Sequence, residues 1–471
     1  MRIIFVFLFA ISFLFAGRQN LTLNEAISLL KKNSSNIKIA KFNEKVALFK
    51  RKIAKSYNYG NLDYMLNAIR SNDAGNVFGF KLQSREATFR DFGFSDFLGG
   101  VGQALNMSPN FTTFKGMMTN PAMANQLLDT QPHDLNYPGY RNHFQNKLTY
   151  KVPLFTGYKL TQYEVIMKDM QKLSKLDTKK IINEEIYQTK KTFYNISLVE
   201  NYIKNLKKLK NNIDKLEDII RAFKKEGYAK DTDIFEVEAK KASVLSYLNQ
   251  AKLNRDLAYQ YLEFLIGVKE IDSISHTNEL APLPEKTIDQ MVEECIDLKR
   301  AKMGYKITKE NIKLKKSAYY PMIGAFGEYS TADDKPFNDF TKHDSVTFGA
   351  QLKWNLFDGG KKSAELQEAK IEHMKMAEKL SLAKRGLALK IRQIITEVKS
   401  KDFDVKAKQK EFEFTKKVFE QFEGKYKEGL EKISDVLIKH SEEIKALLEL
   451  LKVKTARNQK VFELESLLEE R

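Results

Sequence analysis

An internal repeat is the feature that most constrains how this chain of 471 residues folds. A segment of alternating apolar and polar residues runs into Leu356-Phe357-Asp358-Gly359 and then into a long charged stretch. The same arrangement occurs 202 residues earlier and ends at Leu154-Phe155-Thr156-Gly157. The offset also relates two further pairs: Lys427-Glu428-Gly429 with Lys225-Glu226-Gly227, and Asp435-Val436 with Asp233-Ile234. Three landmarks in one register indicate a tandem duplication of a unit made of a helix, two strands and a helical hairpin.

The first 17 residues are typical of a secretory signal peptide. An apolar run from Ile3 to Phe15 follows Arg2 and closes on Ala16, and it is too short to span a bilayer. Beyond it the chain has no apolar stretch of about 18 residues, the length that a transmembrane helix needs. The sequence therefore predicts an exported protein without a membrane-spanning helix.

Charge, cysteine and histidine content argue against several function classes. The formal charge is +18, but lysines alternate with glutamates along helix faces, which favours solvated faces over a nucleic-acid partner. A single cysteine, Cys295, excludes an internal disulfide framework and a cysteine-rich metal site, and it is predicted to be a buried helical residue. The six histidines show no metal-ligand spacing, and no phosphate loop or nucleophile motif is present. We expect no enzymatic activity, no cofactor and no metal.

Four strands can be placed by their alternation: roughly Leu62 to Arg70, His143 to Val152, Met322 to Ser330 and Val346 to Trp354. Each has one apolar and one polar face, which fits a membrane β-barrel. A soluble antiparallel sheet over a core gives the same alternation. The signal peptide and the very long helices between the strands favour the barrel. The predicted interface aromatics are Tyr57, Tyr150, Tyr319, Tyr320 and Trp354.

Each half continues into a helical hairpin with the heptad spacing of a coiled coil. Val199, Leu206, Ile213 and Ile220 form one stripe of the first hairpin, and a stripe at intervals of seven from Ile391 to Tyr426 occurs in the second. Gly227 and Gly429 are predicted to end the first arm of each hairpin. Four residues are suited to cap the returning helices: Asp231 or Asp233, and Ser434 or Asp435.

Four strands from one chain cannot close a barrel. In lipid, an unpaired sheet edge leaves backbone groups without partners at a cost of several kcal/mol each. If the strands lie in a membrane, several chains must therefore share one barrel, and their hairpins would gather into a hollow conduit.

The chain resembles the TolC-type outer-membrane efflux proteins. The likeness rests on the repeated strand ends and hairpin tips given above, on the opening Leu21-Thr22-Leu23-Asn24-Glu25-Ala26 and on Leu265-Ile266-Gly267. It implies a mainly α fold with a β-barrel portion, in which a homotrimer forms a 12-stranded outer-membrane barrel and a periplasmic α-helical barrel. It also implies an exit duct for a tripartite efflux pump or type I secretion system in a Gram-negative outer membrane. A periplasmic adaptor would dock on the tips and connect the duct to an inner-membrane pump or ATPase.

The resemblance further implies an entrance gate where the hairpin tips converge. Carried over by position, its residues are Tyr426, Asp233 and Thr232, with Asp435 in a ring of carboxylates. Two positions differ from the family pattern: Glu431 stands where an arginine is expected, and Ile438 where a second aspartate is expected. The predicted adaptor-docking residues are Gly227, Tyr228, Gly429 and Leu430.

The sequence thus predicts eight segments: the signal peptide (1–17), a first periplasmic helix (18–57), a first strand pair with a long extracellular loop (58–155), a first hairpin (156–267), a linker (268–286), the helix of the second repeat (287–318), a second strand pair (319–357) and a second hairpin (358–471). The alternative is a soluble periplasmic or secreted coiled-coil adaptor or structural protein. It accounts for the signal peptide and the heptads, but not for four amphipathic strands with aromatic ends.

Overall fold

The computed structural model describes residues 19–276, 279–336, 341–428 and 430–468. They divide into two compact units. The helical unit comprises the described residues up to Arg51, Val165–Asn311 and those from Glu368 onward, and the sheet unit comprises Lys52–Glu164 and Ile312–Gln367. The predicted signal peptide and Gly429 lie outside the described residues.

The described part of the chain contains thirteen α-helices and four β-strands. The helices are α1 (Leu23–Asn33), α2 (Ser35–Ser56), α3 (Ala74–Gln83), α4 (Phe94–Asn106), α5 (Phe111–Thr119), α6 (Pro121–Leu128), α7 (His133–Asn136), α8 (Lys159–Lys225), α9 (Asp231–Ile266), α10 (Ile288–Glu294), α11 (Ile296–Lys316), α12 (Lys361–Lys427) and α13 (Ile433–Leu467). The strands are β1 (Asn61–Ser71), β2 (Arg141–Phe155), β3 (Met322–Asp333) and β4 (Asp344–Lys353). Among these helices none is both long and apolar enough to cross a bilayer.

The predicted repeat is present in the fold. Helices α8 and α12 are both 67 residues long, about 100 Å each, and their first residues are 202 positions apart. The returning helices α9 and α13 have 36 and 35 residues. The mainly helical class with a small antiparallel sheet is confirmed.

The helix that opens each half is broken, where the sequence predicted one continuous helix. Capping boxes start both halves: Thr22 with Glu25, and Thr287 with Gln290. The backbone then turns extended at Ser34 (ψ 126°) and at Cys295 (ψ 129°), and a second helix follows directly. Both residues are buried, so tertiary packing sets the breaks rather than helix propensity.

Cys295 is buried as predicted but lies at this break and not within a helix. Its backbone forms an isolated antiparallel bridge with Leu468. Burial raises the pKa of the Cys295 thiol to about 11. The side chain is therefore a protonated, poorly nucleophilic thiol at neutral pH.

Three apolar clusters form the core of the helical unit. One joins α1, α8 and α9 around Leu30, Phe193 and Leu262. The second contains the predicted stripe of the first hairpin, including Leu206 and Ile213, and the third packs α10 and α11 on α12 and α13. A fully buried Leu, Ile or Phe contributes about 1.5–3 kcal/mol, so these seams hold the hairpins together.

The segment between β1 and β2, to which the sequence analysis assigned no secondary structure, contains five short helices, α3 to α7. Asp73, Asn110 and Asn120 start three of them by accepting backbone N–H bonds. These residues are favoured at helix N-termini because their short polar side chains replace the missing helical acceptor. We call residues 74–136 the inserted segment. Its extracellular location stays a prediction.

Candidate membrane sheet and hairpin tips

The four strands form one antiparallel sheet in the order β1-β2-β3-β4. Strand β1 pairs only with β2, and β4 pairs only with β3. Within the described residues the sheet is therefore open, and it has two edges with unpaired backbone groups.

The register gives the sheet one apolar and one polar face. One row of directly paired residues crosses all four strands as Tyr64, Leu148, Tyr329 and Val346. The neighbouring row, on the opposite face, is Asp63, Thr149, Glu328 and Thr347.

Most residues of the apolar row, and their neighbours on that face, are exposed to solvent. Tyr64, Val346, Phe348 and Leu352 have exposed fractions of 62–84%. The polar face carries an ion pair between Lys147 and Glu328 at 2.6 Å. The apolar exceptions on this face are Met65, Ile69, Met322 and Phe326. A sheet with lipid on one side and water on the other has such a distribution, as does a sheet whose apolar face contacts another chain.

The five predicted interface aromatics lie at one end of the sheet, where β1 and β3 begin and β2 and β4 end. The Tyr150 hydroxyl donates to the Tyr59 carbonyl at 2.7 Å, and the Trp354 indole Nε1 donates to the Tyr319 carbonyl at 3.1 Å. Tyr320 packs edge-on against Tyr158, and Tyr57 lies beside Tyr163. The structure thus brings these residues together, and their position at a membrane surface stays a prediction.

The two hairpin tips share one turn geometry. The Tyr228 N–H donates to the Phe223 carbonyl at 2.8 Å, and the Leu430 N–H donates to the Lys425 carbonyl at 2.9 Å. This bond type closes a helix when the preceding residue is left-handed, and Gly227 has φ +81°. Tyr228 and Leu430 are exposed, at 83% and 69%.

A cavity of about 570 Å³ lies between the tips of the two hairpins. It brings together three of the predicted residues, Asp233, Tyr426 and Tyr228, with Glu431 and Lys432 beside them. Thr232 and Asp435 do not line it. They lie in the first turns of α9 and α13, where Thr232 is exposed and Asp435 half-buried.

The predicted aspartate caps act differently from expectation. The N-cap positions are Lys230 and Lys432. Asp233 caps from the third helical position, because its carboxylate accepts the Lys230 backbone N–H at 2.9 Å. Its carboxylate is thus directed at the backbone rather than at Tyr426 in this state.

Glu431, at the position where the resemblance implies an arginine, lies 3.6 Å from the ammonium of Lys425 on the same hairpin. Ile438 is 42% exposed and lines the tip cavity. At the two positions where the family pattern has an arginine and an aspartate, this chain therefore has a carboxylate and an apolar side chain. Tyr426 is the only predicted gate residue of the second half that lines the tip cavity.

Sequence reasoning missed a buried histidine near the tips. His440 on α13 lies 3.0 Å (Nδ1) from the Asn212 amide on α8 and stacks on Phe419 of α12. Burial lowers its pKa, while Glu423 raises it and Lys208 lowers it to smaller extents. The sequence around His440 shows only the apolar spacing of its neighbours, so nothing in it marks the histidine as buried.

We expect His440 to make the hairpin contacts sensitive to acid. A lowered pKa means that the folded state favours the neutral ring, so its stabilisation is complete above about pH 6.5 and is lost as the pH falls below that value. His440→Gln should weaken this pH dependence. Hydrogen exchange of α13 amides at pH 7.5 and pH 5 measures it, and an identical pH response in both proteins would contradict the assignment.

Substitution by alanine is expected to change stability in opposite directions at two glycines near the tips. Neither Cβ would meet an atom within 4 Å, but Gly227 has positive φ and Gly424 lies within α12. We expect Gly227→Ala to cost about 1–2 kcal/mol and Gly424→Ala to stabilise by about 0.5–1 kcal/mol. Hydrogen exchange at the first tip should rise in the former variant only. Equal protection in both would show that the turn does not depend on the left-handed residue.

Comparison with known families identifies the second half of the chain. Residues 287–469, which include β3, β4 and α10 to α13, match the family model described as outer membrane efflux protein. These residues belong to the outer membrane efflux protein family. The resemblance found from the sequence is thereby confirmed. A search of curated proteins finds no match to this chain.

Solved structures extend the efflux-protein likeness to nearly the whole chain. The CmeC outer membrane channel of Campylobacter jejuni is similar with a TM-score of 0.72 and 14% identity over 98% of this chain and 91% of that chain. The open state of the MtrE outer membrane channel of Neisseria gonorrhoeae has a TM-score of 0.70 and 13% identity, over 94% of this chain and 88% of that chain. The outer membrane protein VceC of Vibrio cholerae has a TM-score of 0.67 and 12% identity, over 95% of this chain and 97% of that chain. At these identities the likeness shows the fold.

Proposed function

We propose that this chain assembles as a homotrimer into an outer-membrane exit duct of a tripartite efflux pump or type I secretion system. The channel is passive, and the energy comes from an inner-membrane pump or ATPase. The observation that carries the proposal is the open four-stranded sheet with one continuous, exposed apolar face.

This sheet fits lipid only as part of a closed ring. Its apolar face suits hydrocarbon, but the free edges of β1 and β4 would each leave a row of backbone groups without partners. Pairing of β4 in one copy with β1 in the next removes both edges. The polar face, with Asp63, Lys147 and Glu328, then lines the water-filled interior.

Long helices with uncovered apolar stripes also support assembly with further copies. Ile39, Phe42 and Val46 follow one side of α2 at helical spacing and are 52–59% exposed. Ile371, Met374 and Leu382 on α12 are 63–67% exposed. Packing against neighbouring copies would bury both stripes, as in a ring of coiled coils.

The exposed tips are proposed to hold the periplasmic adaptor and the entrance gate. Tyr228 and Leu430 offer apolar contacts, and the predicted docking site also includes Gly227 and Gly429. Asp233, Thr232, Tyr426 and Asp435 are the proposed gate residues. An entrance ring with one Asp435 from each copy would favour cations over anions.

The alternative, a soluble coiled-coil adaptor, is disfavoured by the sheet. A soluble protein would leave Tyr64, Val346 and Phe348 in water on one continuous face, which is typical of an interaction surface with lipid or another chain.

Cell fractionation tests the proposal. We expect the protein in detergent extracts of the outer membrane, as an oligomer that dissociates on heating before electrophoresis. Release with periplasmic fluid as a soluble species would contradict the duct and support the adaptor.

A further inference from the structure

A cluster of three potential metal ligands lies where the inserted segment meets the β3-β4 hairpin. Glu86 follows α3, Asp333 ends β3 and His343 precedes β4. One ligand atom from each lies within 4.8 Å of the others. We propose that these residues form a binding site for a divalent transition-metal ion of the zinc class. The site is independent of the proposed duct function.

The distances suit a small metal ion. Zinc bonds of about 2.0–2.2 Å place neighbouring ligand atoms about 3–3.5 Å apart. The His343 Nδ1 lies 2.8 Å from an oxygen of Asp333, so a modest outward movement of both side chains opens the position between them. In the absence of metal, the imidazole N–H fills that position as a hydrogen-bond donor.

The ligands are held by a second layer of hydrogen bonds. Glu86 Oε2 accepts from the Ser84 hydroxyl at 2.9 Å and from the Arg141 guanidinium. Asp333 Oδ1 accepts from the Lys335 backbone N–H at 3.2 Å. Such outer partners fix the orientation of metal ligands and are expected around a built site.

Burial and charge also favour a cation here. The side chains of Asp333 and His343 are only 6% and 19% exposed. The Glu86 and Asp333 carboxylates meet the His343 imidazole at this point. Carboxylates that are shielded from water need a partner, and one divalent cation can serve both of them.

The imidazole selects the class of ion. Calcium and magnesium prefer oxygen ligands throughout, whereas zinc and related ions accept nitrogen and carboxylate together. We expected no metal from the sequence because its histidines show no paired metal-ligand spacing. Glu86 and Asp333 are 247 residues apart, so no local pattern links them. Only the fold brings them together.

A bound ion would tie the inserted segment to the hairpin. The segment already contacts the sheet at Phe80, whose ring stacks on His143 with centroids 4.1 Å apart. Glu86 is also bonded to Arg141 at the start of β2. Metal ligation would add a link from Glu86 to the β3-β4 hairpin. Zinc should therefore protect residues 74–136 against proteolysis.

Calorimetric titration of the chelator-treated, detergent-purified oligomer with Zn²⁺ tests the site. We expect one ion per copy in the wild type, and an affinity at least about tenfold lower in His343→Gln and in Asp333→Asn. His133→Gln is the matched control, because the exposed His133 ring lies 3.4 Å from the Asp134 carboxylate and outside the proposed cluster. It should bind as the wild type does, and Ca²⁺ should bind none of the proteins at this site.

The same samples are digested with and without Zn²⁺, and a far-UV circular dichroism spectrum like that of the wild type shows that each variant is folded. Zinc-dependent protection of the inserted segment that is lost in His343→Gln supports the proposal. Unchanged affinity and stoichiometry in folded His343→Gln, or wild-type binding of Ca²⁺ as tight as that of Zn²⁺, would overturn it.

Discussion

Phe348→Arg should prevent the protein from accumulating as an oligomer in the outer membrane. Phe348 lies at the middle of β4 on the apolar face and is 84% exposed in the single chain. Arginine near the bilayer midplane on a lipid-facing strand costs about 2–4 kcal/mol, and each copy in the ring would contribute that cost. The amount of heat-sensitive oligomer in outer-membrane extracts measures the effect.

Thr347→Arg is the matched control for this prediction. Thr347 is the preceding residue of the same strand, is also exposed, and lies in the row with Asp63 and Glu328 on the polar face. Its arginine would point into the aqueous interior, so we expect near-normal assembly. Equal loss of oligomer in both variants would show that the faces are not divided between lipid and water.

The second large effect is expected at the hairpin tips. Tyr426→Phe combined with Asp233→Ala should raise single-channel conductance in planar bilayers by about twofold or more, because removal of gate contacts widens a constriction. In the single chain both residues line the tip cavity, and the Asp233 carboxylate caps α9. The double variant therefore also loses a helix cap, worth about 0.5–2 kcal/mol.

Asp231→Ala separates gating from helix stability. Asp231 also lies in the first turn of α9 and pairs with Lys224, but it does not line the cavity. We expect its conductance to match the wild type. If the double variant conducts like the wild type too, Tyr426 and Asp233 are not gate residues. If Asp231→Ala opens the channel equally, the effect comes from tip stability.

The sequence was sufficient for the parts of the fold that repeat or follow a simple period. The offset of 202 residues placed α8 and α12, and the alternation of Val346, Phe348 and Leu352 placed β4 and its apolar face. These patterns are strong because one face of each element must be apolar over its whole length.

Elements fixed by tertiary packing were not predictable. The breaks at Ser34 and Cys295 carry no glycine or proline signal, and both follow from burial against other helices. The helices of the inserted segment are short, so their period was too brief to detect. Asp233 lies in the first turn of α9. Its capping position depends on where the helix starts, which sequence alone gives only within a few residues.

The candidate metal site shows the same limit. His343 and Asp333 are 10 residues apart and Glu86 lies in the other half of the repeat, so only strand pairing and the inserted segment define the cluster. Tyr319, Tyr320 and Trp354 were easier to locate, because each lies next to a strand end that the alternation had already indicated.

Native mass spectrometry of the detergent-solubilised protein tests the central claim most directly. We expect a complex of three copies, because strands shared between chains close the open sheet and the family resemblance implies a barrel of 12 strands. A single chain that stays monodisperse in water without detergent would contradict it.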